Sequence, residues 1–138
     1  MSRRDVLLDT GPLVALLDRR DRWHRACLAV WPEVSRCVTT EAVVTEAAHL
    51  VGRGGGSPAF PLEFLLAADM PILGLEPDGH QLAAKLMHKY QDTPMDYADA
   101  TLVVVAEGLR TDRVLTLDRR GFLAYRRLNG GRFSIVPS

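Results

Sequence analysis

Five acidic side chains lie beside apolar sequence, where a single unpaired charge would be costly to bury. They are Asp9, Glu46, Asp96, Asp99 and Asp118. Carboxylates that are brought together repel one another, and without a cation some of them take up protons. A hard divalent cation with oxygen ligands removes that conflict, and Mg²⁺ and Mn²⁺ are the natural candidates. If the five acids converge in the fold, the sequence predicts a metal site.

Each of these acids also has an ordinary structural interpretation. Asp9 precedes a predicted helix and could cap it, although Thr10 would serve equally well. Glu46 stands in the middle of a predicted helix, where an exposed and solvated glutamate is the default. Asp118 precedes Arg119 at the start of a predicted loop and could initiate a turn. For these positions the residue types alone leave both interpretations open.

Asp96 and Asp99 are three residues apart, so a helix would place them about 60° apart on nearly the same face. The run Thr93-Pro94-Met95-Asp96 resembles a helix-capping arrangement, which gives Asp96 a structural alternative. Asp99 lies deeper in the predicted helix, between two alanines, and has no such alternative. Asp99 is therefore the stronger candidate for chemistry.

Apolar runs and helical periodicity alternate along the whole chain. Short apolar runs predict strands at residues 6–8, 37–39, 72–75, 114–117 and 133–136. Helical spacing predicts helices at residues 13–17, 23–31, 41–51, 58–68, 77–90 and 94–107. This alternation is typical of a parallel sheet with helices on both faces. Such sheets bind ligands beyond the carboxyl ends of their strands, and Asp9 and Asp118 both fall at such ends.

The charge of the chain is balanced overall but segregated along it. The chain has 138 residues, which is enough for one domain. Its 17 basic and 17 acidic side chains give a formal net charge of +0. No acid follows Asp118, and this last segment is rich in arginine. Arginine supplies every basic side chain except Lys85 and Lys89. Its planar fork suits phosphate, although the composition of the source genome would produce the same excess.

Several classes of protein are excluded. Cys27 and Cys37 are too few and too far apart for a zinc framework, and we expect two free thiols. No apolar run approaches the length of a bilayer span. Acidic residues interrupt the stretch after the N-terminal arginines, so we expect no targeting peptide and a cytoplasmic location. The glycine-rich run at 52–57 lacks the lysine of a phosphate-binding loop and predicts a connection between helices.

Four short motifs carry a family resemblance. They are Asp9-Thr10 after the first strand, Thr45-Glu46-Ala47 in a helix, Met95-Asp96-Tyr97-Ala98-Asp99-Ala100, and Leu115-Thr116-Leu117-Asp118-Arg119-Arg120-Gly121-Phe122. Each motif alone is weak, whereas four in this order and spacing are fairly specific. The chain resembles, over essentially its whole length, the PIN-domain ribonucleases of the VapC toxin type.

The resemblance implies one PIN-like domain over residues 1–138, folded as a three-layer α/β/α sandwich around a parallel sheet of four or five strands. It implies hydrolysis of RNA that depends on Mg²⁺ or Mn²⁺. The acids that match the family's catalytic and metal-binding positions are Asp9, Glu46, Asp99 and Asp118. Asp96 matches an additional metal-site aspartate of an Asp-x-x-Asp pair seen in a subgroup. Thr10 and Thr116 match supporting hydroxyl positions.

A mechanism follows from the resemblance as a hypothesis. Asp9 and Asp99 would bind the principal ion, while Glu46 and Asp118 would complete the acidic ring, orient water or help to hold a second ion. Hydroxide would attack the phosphate in line and expel the ribose 3′-oxygen, which leaves a 5′-phosphate.

Contacts to RNA and to a partner protein are also expected. Arg119 and Arg120 directly follow a site acid and are candidates for contacting RNA phosphates, with a solvated loop as the alternative. Trp23 and Tyr97 are aromatic candidates for base stacking, although we expect Tyr97 to pack in the core. The resemblance further implies a homodimer and a small antitoxin that covers the acidic groove, often with an inserted arginine. The alternatives are a stand-alone RNA-processing nuclease and a non-catalytic member that binds RNA or protein.

Two other doubly wound proteins fit the residues less well. A receiver domain would need a second acid beside Asp9 and a lysine near the end, but the lysines are Lys85 and Lys89. A phosphatase of the haloacid-dehalogenase type would need an aspartate two residues after the first, where Gly11 stands.

Overall fold

A five-stranded parallel sheet forms the centre of the computed structural model, which describes residues 5–34 and 36–137. The strands in chain order are β1 (Val6–Leu8), β2 (Cys37–Thr40), β3 (Ile72–Leu73), β4 (Arg113–Leu115) and β5 (Ser134–Val136). Their spatial order is β3-β2-β1-β4-β5, and every neighbouring pair is parallel. Leu7 of β1 pairs with Val38 of β2 on one side and with Val114 of β4 on the other. β1 is therefore the central strand.

Helices connect the strands and cover the sheet. They are α1 (Thr10–Leu17), α2 (His24–Val30), α3 (Glu41–Arg53), α4 (Phe60–Ala67), α5 (Pro77–Lys89), α6 (Tyr97–Leu109) and α7 (Arg119–Ala124), with a 3₁₀ turn at Trp31–Glu33. All three residues of β1 are buried, which requires cover on both faces of the sheet. The expected three-layer α/β/α sandwich is confirmed.

The chain crosses the sheet in two directions from β1. β2 and β3 lie on one side of it, whereas β4 and β5 lie on the other. The connections that follow β1 and β4 therefore diverge, and such a divergence marks the crevice beyond the carboxyl ends of the strands where parallel sheets bind ligands. Asp9 directly follows β1, and Thr116 directly follows β4.

A chain of hydroxyl groups joins the beginning of α3 to the first turn of α6. Thr40 caps α3 by accepting a hydrogen bond from the backbone N–H of Val43. The hydroxyl of Thr101 donates to the carbonyl oxygen of Ala98 at 2.6 Å, so the hydroxyl of Thr40 must donate to Thr101, at 2.8 Å. Both threonines are buried. This chain fixes the helix that carries Glu46 against the helix that carries Asp99.

The elements differ from the predicted ones near the acids. α6 begins at Tyr97 and not at residue 94, because Asp96 caps it. β4 ends at Leu115, two residues earlier than predicted. Residues 119–124, which the sequence suggested to be a loop, form α7, and Asp118 is its N-cap. The starts of α6 and α7 place Asp96 and Asp118 at helix N-termini.

Other expectations hold in the described part of the chain. Cys27 and Cys37 are both buried and free. The glycine-rich run at 52–57 contains the end of α3 and most of the connection to α4. No helix among the described residues is long and apolar enough to cross a membrane.

Candidate active site

Asp9 is buried at the end of the central strand and caps α1. Its Oδ1 accepts a hydrogen bond from the backbone N–H of Thr10 at 2.8 Å, and its Oδ2 accepts one from the hydroxyl of Thr116 at 2.7 Å. Burial raises the pKa of Asp9 to about 6, although the hydrogen bonds from Thr116 and Thr10 lower it. Asp9 is thus both a helix cap and a carboxyl group held next to the crevice.

Thr116 links two of the acids. Its hydroxyl accepts a hydrogen bond from the backbone N–H of Asp118 at 3.0 Å while it donates to Asp9. One buried hydroxyl therefore fixes the carboxylate of Asp9 and the start of the segment that carries Asp118. Thr116 therefore lies between two of the acids that the resemblance names, and its supporting role in catalysis stays a prediction.

Asp96 and Asp99 form a reciprocal capping box at the start of α6. The carboxylate of Asp96 accepts from the backbone N–H of Asp99 at 2.8 Å, and Oδ2 of Asp99 accepts from that of Asp96 at 3.2 Å. The expectation that Asp99 has no structural role is therefore wrong. Burial, and then the charges of Asp9 and Asp96, raise the pKa of Asp99 to about 8. Asp96 itself is exposed.

Glu46 reaches the same region from α3. It is half-buried, and burial raises its pKa, as do the nearby carboxylates of Asp96 and Asp9. The Thr10 hydroxyl lies close enough to favour the ionised form of Glu46. That hydroxyl is buried without a well-formed hydrogen bond to any described residue. Glu46 is therefore not the solvated surface glutamate that was its structural alternative.

Asp118 is exposed and caps α7, with its Oδ1 accepting from the backbone N–H of Gly121 at 3.0 Å. The carboxylate lies directly against the α-carbon of Gly121. A β-carbon at that position would overlap Oδ2 of Asp118 and lie 2.9 Å from its Cγ and 3.0 Å from a ring carbon of Tyr125. Glycine is needed here because of this close approach.

The five acids lie close enough together for their charges to act on one another. Besides burial, the charges of Asp9, Asp96 and Asp118 raise the pKa of Asp99, and those of Asp96 and Asp9 raise that of Glu46. The donors are hard oxygen atoms, and Oδ1 of Asp99 accepts no hydrogen bond from a described residue. Within residues 5–34 and 36–137, no three acidic, histidine or cysteine side chains are close enough to enclose an ion. An ion here would keep several waters, which suits Mg²⁺ or Mn²⁺.

The candidate RNA-binding side chains differ in their surroundings. Arg119 and Arg120 are both exposed on α7. A guanidinium nitrogen of Arg119 donates to the carbonyl oxygen of Pro137 at 3.2 Å, which ties this side chain to the backbone after β5. Tyr97 is 43% exposed, so the expectation that it packs in the core is wrong. It stands directly beside Asp96 at the start of α6.

Sequence reasoning missed Tyr125, which follows α7. Its ring is completely buried, and its hydroxyl lies 3.0 Å from the carbonyl oxygen of Pro94 and 3.5 Å from Oδ2 of Asp99. Burial and the charge of Asp99 raise the pKa of the phenol well above its ordinary value, so it stays a hydrogen-bond donor. A tyrosine followed by Arg126 and Arg127 carries no sequence signal for burial beside an acid.

The family model for the PIN domain matches residues 6–128. The chain belongs to the PIN domain family. It is 34% identical to ribonuclease VapC26 of Mycobacterium tuberculosis over 142 aligned positions, which cover 96% of this chain and 100% of that protein. The resemblance that the four motifs suggested is confirmed.

Two solved structures share the fold of this chain. The crystal structure of Mycobacterium tuberculosis VapC20, described as a sarcin-ricin loop cleaving toxin, superposes with a TM-score of 0.77 at 18% identity and covers 83% of this chain and 91% of its own. A toxin–antitoxin complex from Klebsiella pneumoniae gives a TM-score of 0.62 at 18% identity, with 87% and 92% covered. At this identity the likeness concerns the fold.

We expect the metal-free PIN protein to lose stability as pH rises. Asp9 and Asp99 keep their protons to pH values of about 6 and about 8 when folded, whereas both ionise near pH 4 when unfolded. The folded chain therefore holds more protons between these limits, and each extra proton lowers the free energy of unfolding by about 1.4 kcal/mol per pH unit. Asp99→Asn should give a shallower slope and greater stability near pH 8, measured by urea denaturation in EDTA.

The low-pH end of the same experiment is its internal control. Near pH 4 the side chain at position 99 is uncharged in both folded proteins, so the difference between their free energies of unfolding should be smallest there. Parallel curves for wild type and variant over the whole range would contradict the assignment of a buried, unpaired carboxyl group to Asp99.

Gly121→Ala should destabilise the protein by about 1 kcal/mol, because the methyl group displaces the carboxylate of Asp118 and removes the cap of α7. Gly108→Ala is the matched control, since nothing lies within 4 Å of a β-carbon there and alanine is the better helix former. In an Asp118→Ala background the cost of Gly121→Ala should shrink. Additive effects in a double-mutant cycle, measured by chemical denaturation, would refute the proposed clash.

Proposed function

We propose that this PIN protein is an endoribonuclease that hydrolyses phosphodiester bonds of RNA with Mg²⁺ or Mn²⁺ and acts as the toxin of a toxin–antitoxin pair. The observation that carries the proposal is the convergence of five carboxylates near the carboxyl end of β1, where burial and the neighbouring acids raise the pKa values of Asp9, Glu46 and Asp99. The 34% identity to a ribonuclease over 96% of the chain supports the reaction type.

The burial of the acids, and a carboxylate oxygen that accepts no hydrogen bond in one of them, indicate which residues would hold the ion. Asp9 and Asp99 are the principal ligands, because both are buried next to the crevice and Oδ1 of Asp99 is free of hydrogen bonds from described residues. Glu46, Asp96 and Asp118 complete the acidic ring and orient water. When bound, a divalent cation supplies a Lewis acid for phosphate oxygens and lowers the pKa of water.

The remaining residues hold this arrangement in place. The Thr116 hydroxyl and the backbone N–H of Thr10 together fix the orientation of the Asp9 carboxylate at the end of β1. The unsatisfied hydroxyl of Thr10 is available to a water or to a phosphate oxygen. An activated water attacks phosphorus in line and the ribose 3′-oxygen leaves, which yields a 5′-phosphate and a 3′-hydroxyl. Arg120, which is exposed on α7, is the better of the two arginine candidates for an RNA phosphate, because Arg119 is tied to Pro137.

Asp9→Asn and Asp99→Asn should each abolish Mn²⁺-dependent cleavage of RNA, with a loss of about a thousandfold or more, because they remove charge that would neutralise the ion. Circular dichroism should show an unchanged fold. The readout is cleavage of total RNA followed by sequencing of the 5′-phosphate ends. Glu63→Gln changes an exposed acid on α4 and should cleave like the wild type. Full activity of either site variant would overturn the assignment.

The partner is proposed to be a small antitoxin that covers the acidic crevice. An arginine inserted among these carboxylates would stabilise their ionised forms in place of a metal ion. We expect expression of the protein alone to arrest growth of a bacterial host, and co-expression of a small protein from an adjoining reading frame to relieve the arrest. Asp99→Asn should be harmless in both cases. RNA cleavage in vitro without growth arrest would instead indicate a stand-alone processing nuclease.

Homodimer formation and a cytoplasmic location remain predictions that accompany this function. The identity of the cleaved RNA is determined by mapping the 5′-phosphate ends, because the carboxylates would act at the phosphate and carry no sequence information.

A further inference from the structure

The ring of Tyr125 is held rigidly at the end of α7. It is completely buried and makes edge-to-face contacts with Phe122 and Tyr90, with ring centroids 5.2 Å and 5.1 Å away. The backbone N–H of Tyr125 also closes α7 by donating to the carbonyl oxygen of Gly121 at 2.8 Å. Because ring and backbone are both fixed, the position of the phenolic hydroxyl is fixed as well.

That hydroxyl contacts both sides of the capping box at the start of α6. It donates to the carbonyl oxygen of Pro94 at 3.0 Å, two residues before the N-cap Asp96. It also faces Oδ2 of Asp99 at 3.5 Å, which is long for a hydrogen bond and within the range that tightens when a site is occupied. The Oδ2 atom is the one that also accepts from the N–H of Asp96, so the opposite oxygen of Asp99 points elsewhere.

α7 therefore works as a spacer with an acid contact at each end. Asp118 caps its N-terminus, and Tyr125 at its C-terminus reaches Asp99. Asp118 is in turn linked to Asp9 through Thr116. The phenol of Tyr125 thus joins the pair Asp9–Asp118, at the ends of β1 and β4, to the acids of α6.

We infer that Tyr125 is a positioning residue, whose phenol orients Asp99 and the Pro94 loop so that the free oxygen of Asp99 faces a divalent cation. The inference rests on the proposed metal-dependent function. Packing alone does not require the hydroxyl, because the adjacent Phe122 fills the same cluster without one. Burying a hydroxyl without a hydrogen bond is costly, and the partners of the Tyr125 hydroxyl are the carbonyl oxygen of Pro94 and the carboxylate of Asp99, a proposed ligand.

The test compares Tyr125→Phe with Tyr90→Phe. Both remove one phenolic oxygen from neighbouring rings of the same cluster. The hydroxyl of Tyr90, however, accepts from the backbone N–H of Arg126 and forms no hydrogen bond with an acidic side chain among the described residues. Mn²⁺ affinity is measured without RNA, by electron paramagnetic resonance of free Mn²⁺ and by calorimetry. Thermal unfolding in EDTA reports the structural cost of each variant separately.

We expect Tyr125→Phe to weaken Mn²⁺ binding about 10- to 100-fold, the usual effect of losing a group that orients a metal ligand. Tyr90→Phe should keep the wild-type affinity. In RNA cleavage, Tyr125→Phe should raise the Mn²⁺ concentration for half-maximal activity while KM for RNA stays unchanged. A structural role alone would lower the melting temperature of both variants and leave the Mn²⁺ affinity of the folded protein as it is.

Three results would overturn the inference: wild-type Mn²⁺ affinity in Tyr125→Phe, equal loss of affinity in both variants, or a wild-type protein that binds no Mn²⁺. Failure of the proposed function is a separate result. A wild-type protein that binds Mn²⁺ but cleaves no RNA would refute the nuclease, and the comparison of Mn²⁺ affinities would still decide the role of Tyr125.

Discussion

Carboxylates gathered beside a sheet that is buried on both faces repel one another, and burial removes the water that would screen them. The fold reduces this cost with backbone N–H groups. Asp9, Asp96 and Asp118 are the N-caps of α1, α6 and α7, and Asp99 accepts from the backbone inside the first turn of α6. Three helix N-termini, each with a partial positive charge, therefore face one crevice. The remaining repulsion is what a cation would relieve.

The sequence left two interpretations open for most of these acids, a helix cap or turn and a metal ligand. In the fold the two are compatible, because the capping acids lie side by side. A carboxylate that accepts hydrogen bonds at a helix N-terminus is held in a fixed orientation. Asp99 illustrates this, since its Oδ2 serves the capping box while its Oδ1 accepts from no described residue. Asp9 uses both oxygens in hydrogen bonds and is the more deeply buried acid, with 6% of its surface exposed against 8%. Capping is thus the means by which the acids are oriented.

The strands and the acids at their ends could be predicted because they depend on local signals. Apolar runs mark β1 and β4, and the topology of parallel sheets places Asp9 and Asp118 at one edge. The sequence indicated the capping role of Asp96 but not that of Asp99. A helix that began at residue 94 would hold Asp99 in its interior, whereas α6 begins at Tyr97 and Asp99 is its third residue. α7 was missed because a six-residue helix shows little periodicity. The contact of Tyr125 with Asp99 depends on tertiary packing across 26 residues.

Some of the arginines after Asp118 bind backbone carbonyl groups and are not free to bind a phosphate. One guanidinium nitrogen of Arg126 donates to the carbonyl oxygens of Leu123, Ala124 and Tyr125, at 2.9, 3.0 and 3.2 Å. Such a cation satisfies the free carbonyls at a helix C-terminus. Part of the basic charge therefore holds α7 in place, and a count of arginines overstates the charge available to RNA.

The hydrogen bond between Thr116 and Asp9 has a consequence for how the protein matures. It joins residues that are 107 positions apart, and it forms only when β4 has paired with β1. Forming a contact of such long range carries an entropic cost of loop closure, which must be met before the contact stabilises the chain. A chain in which β4 has not paired with β1 therefore contains every acid but no assembled site, so the capacity to act requires that the two ends of the chain have folded together.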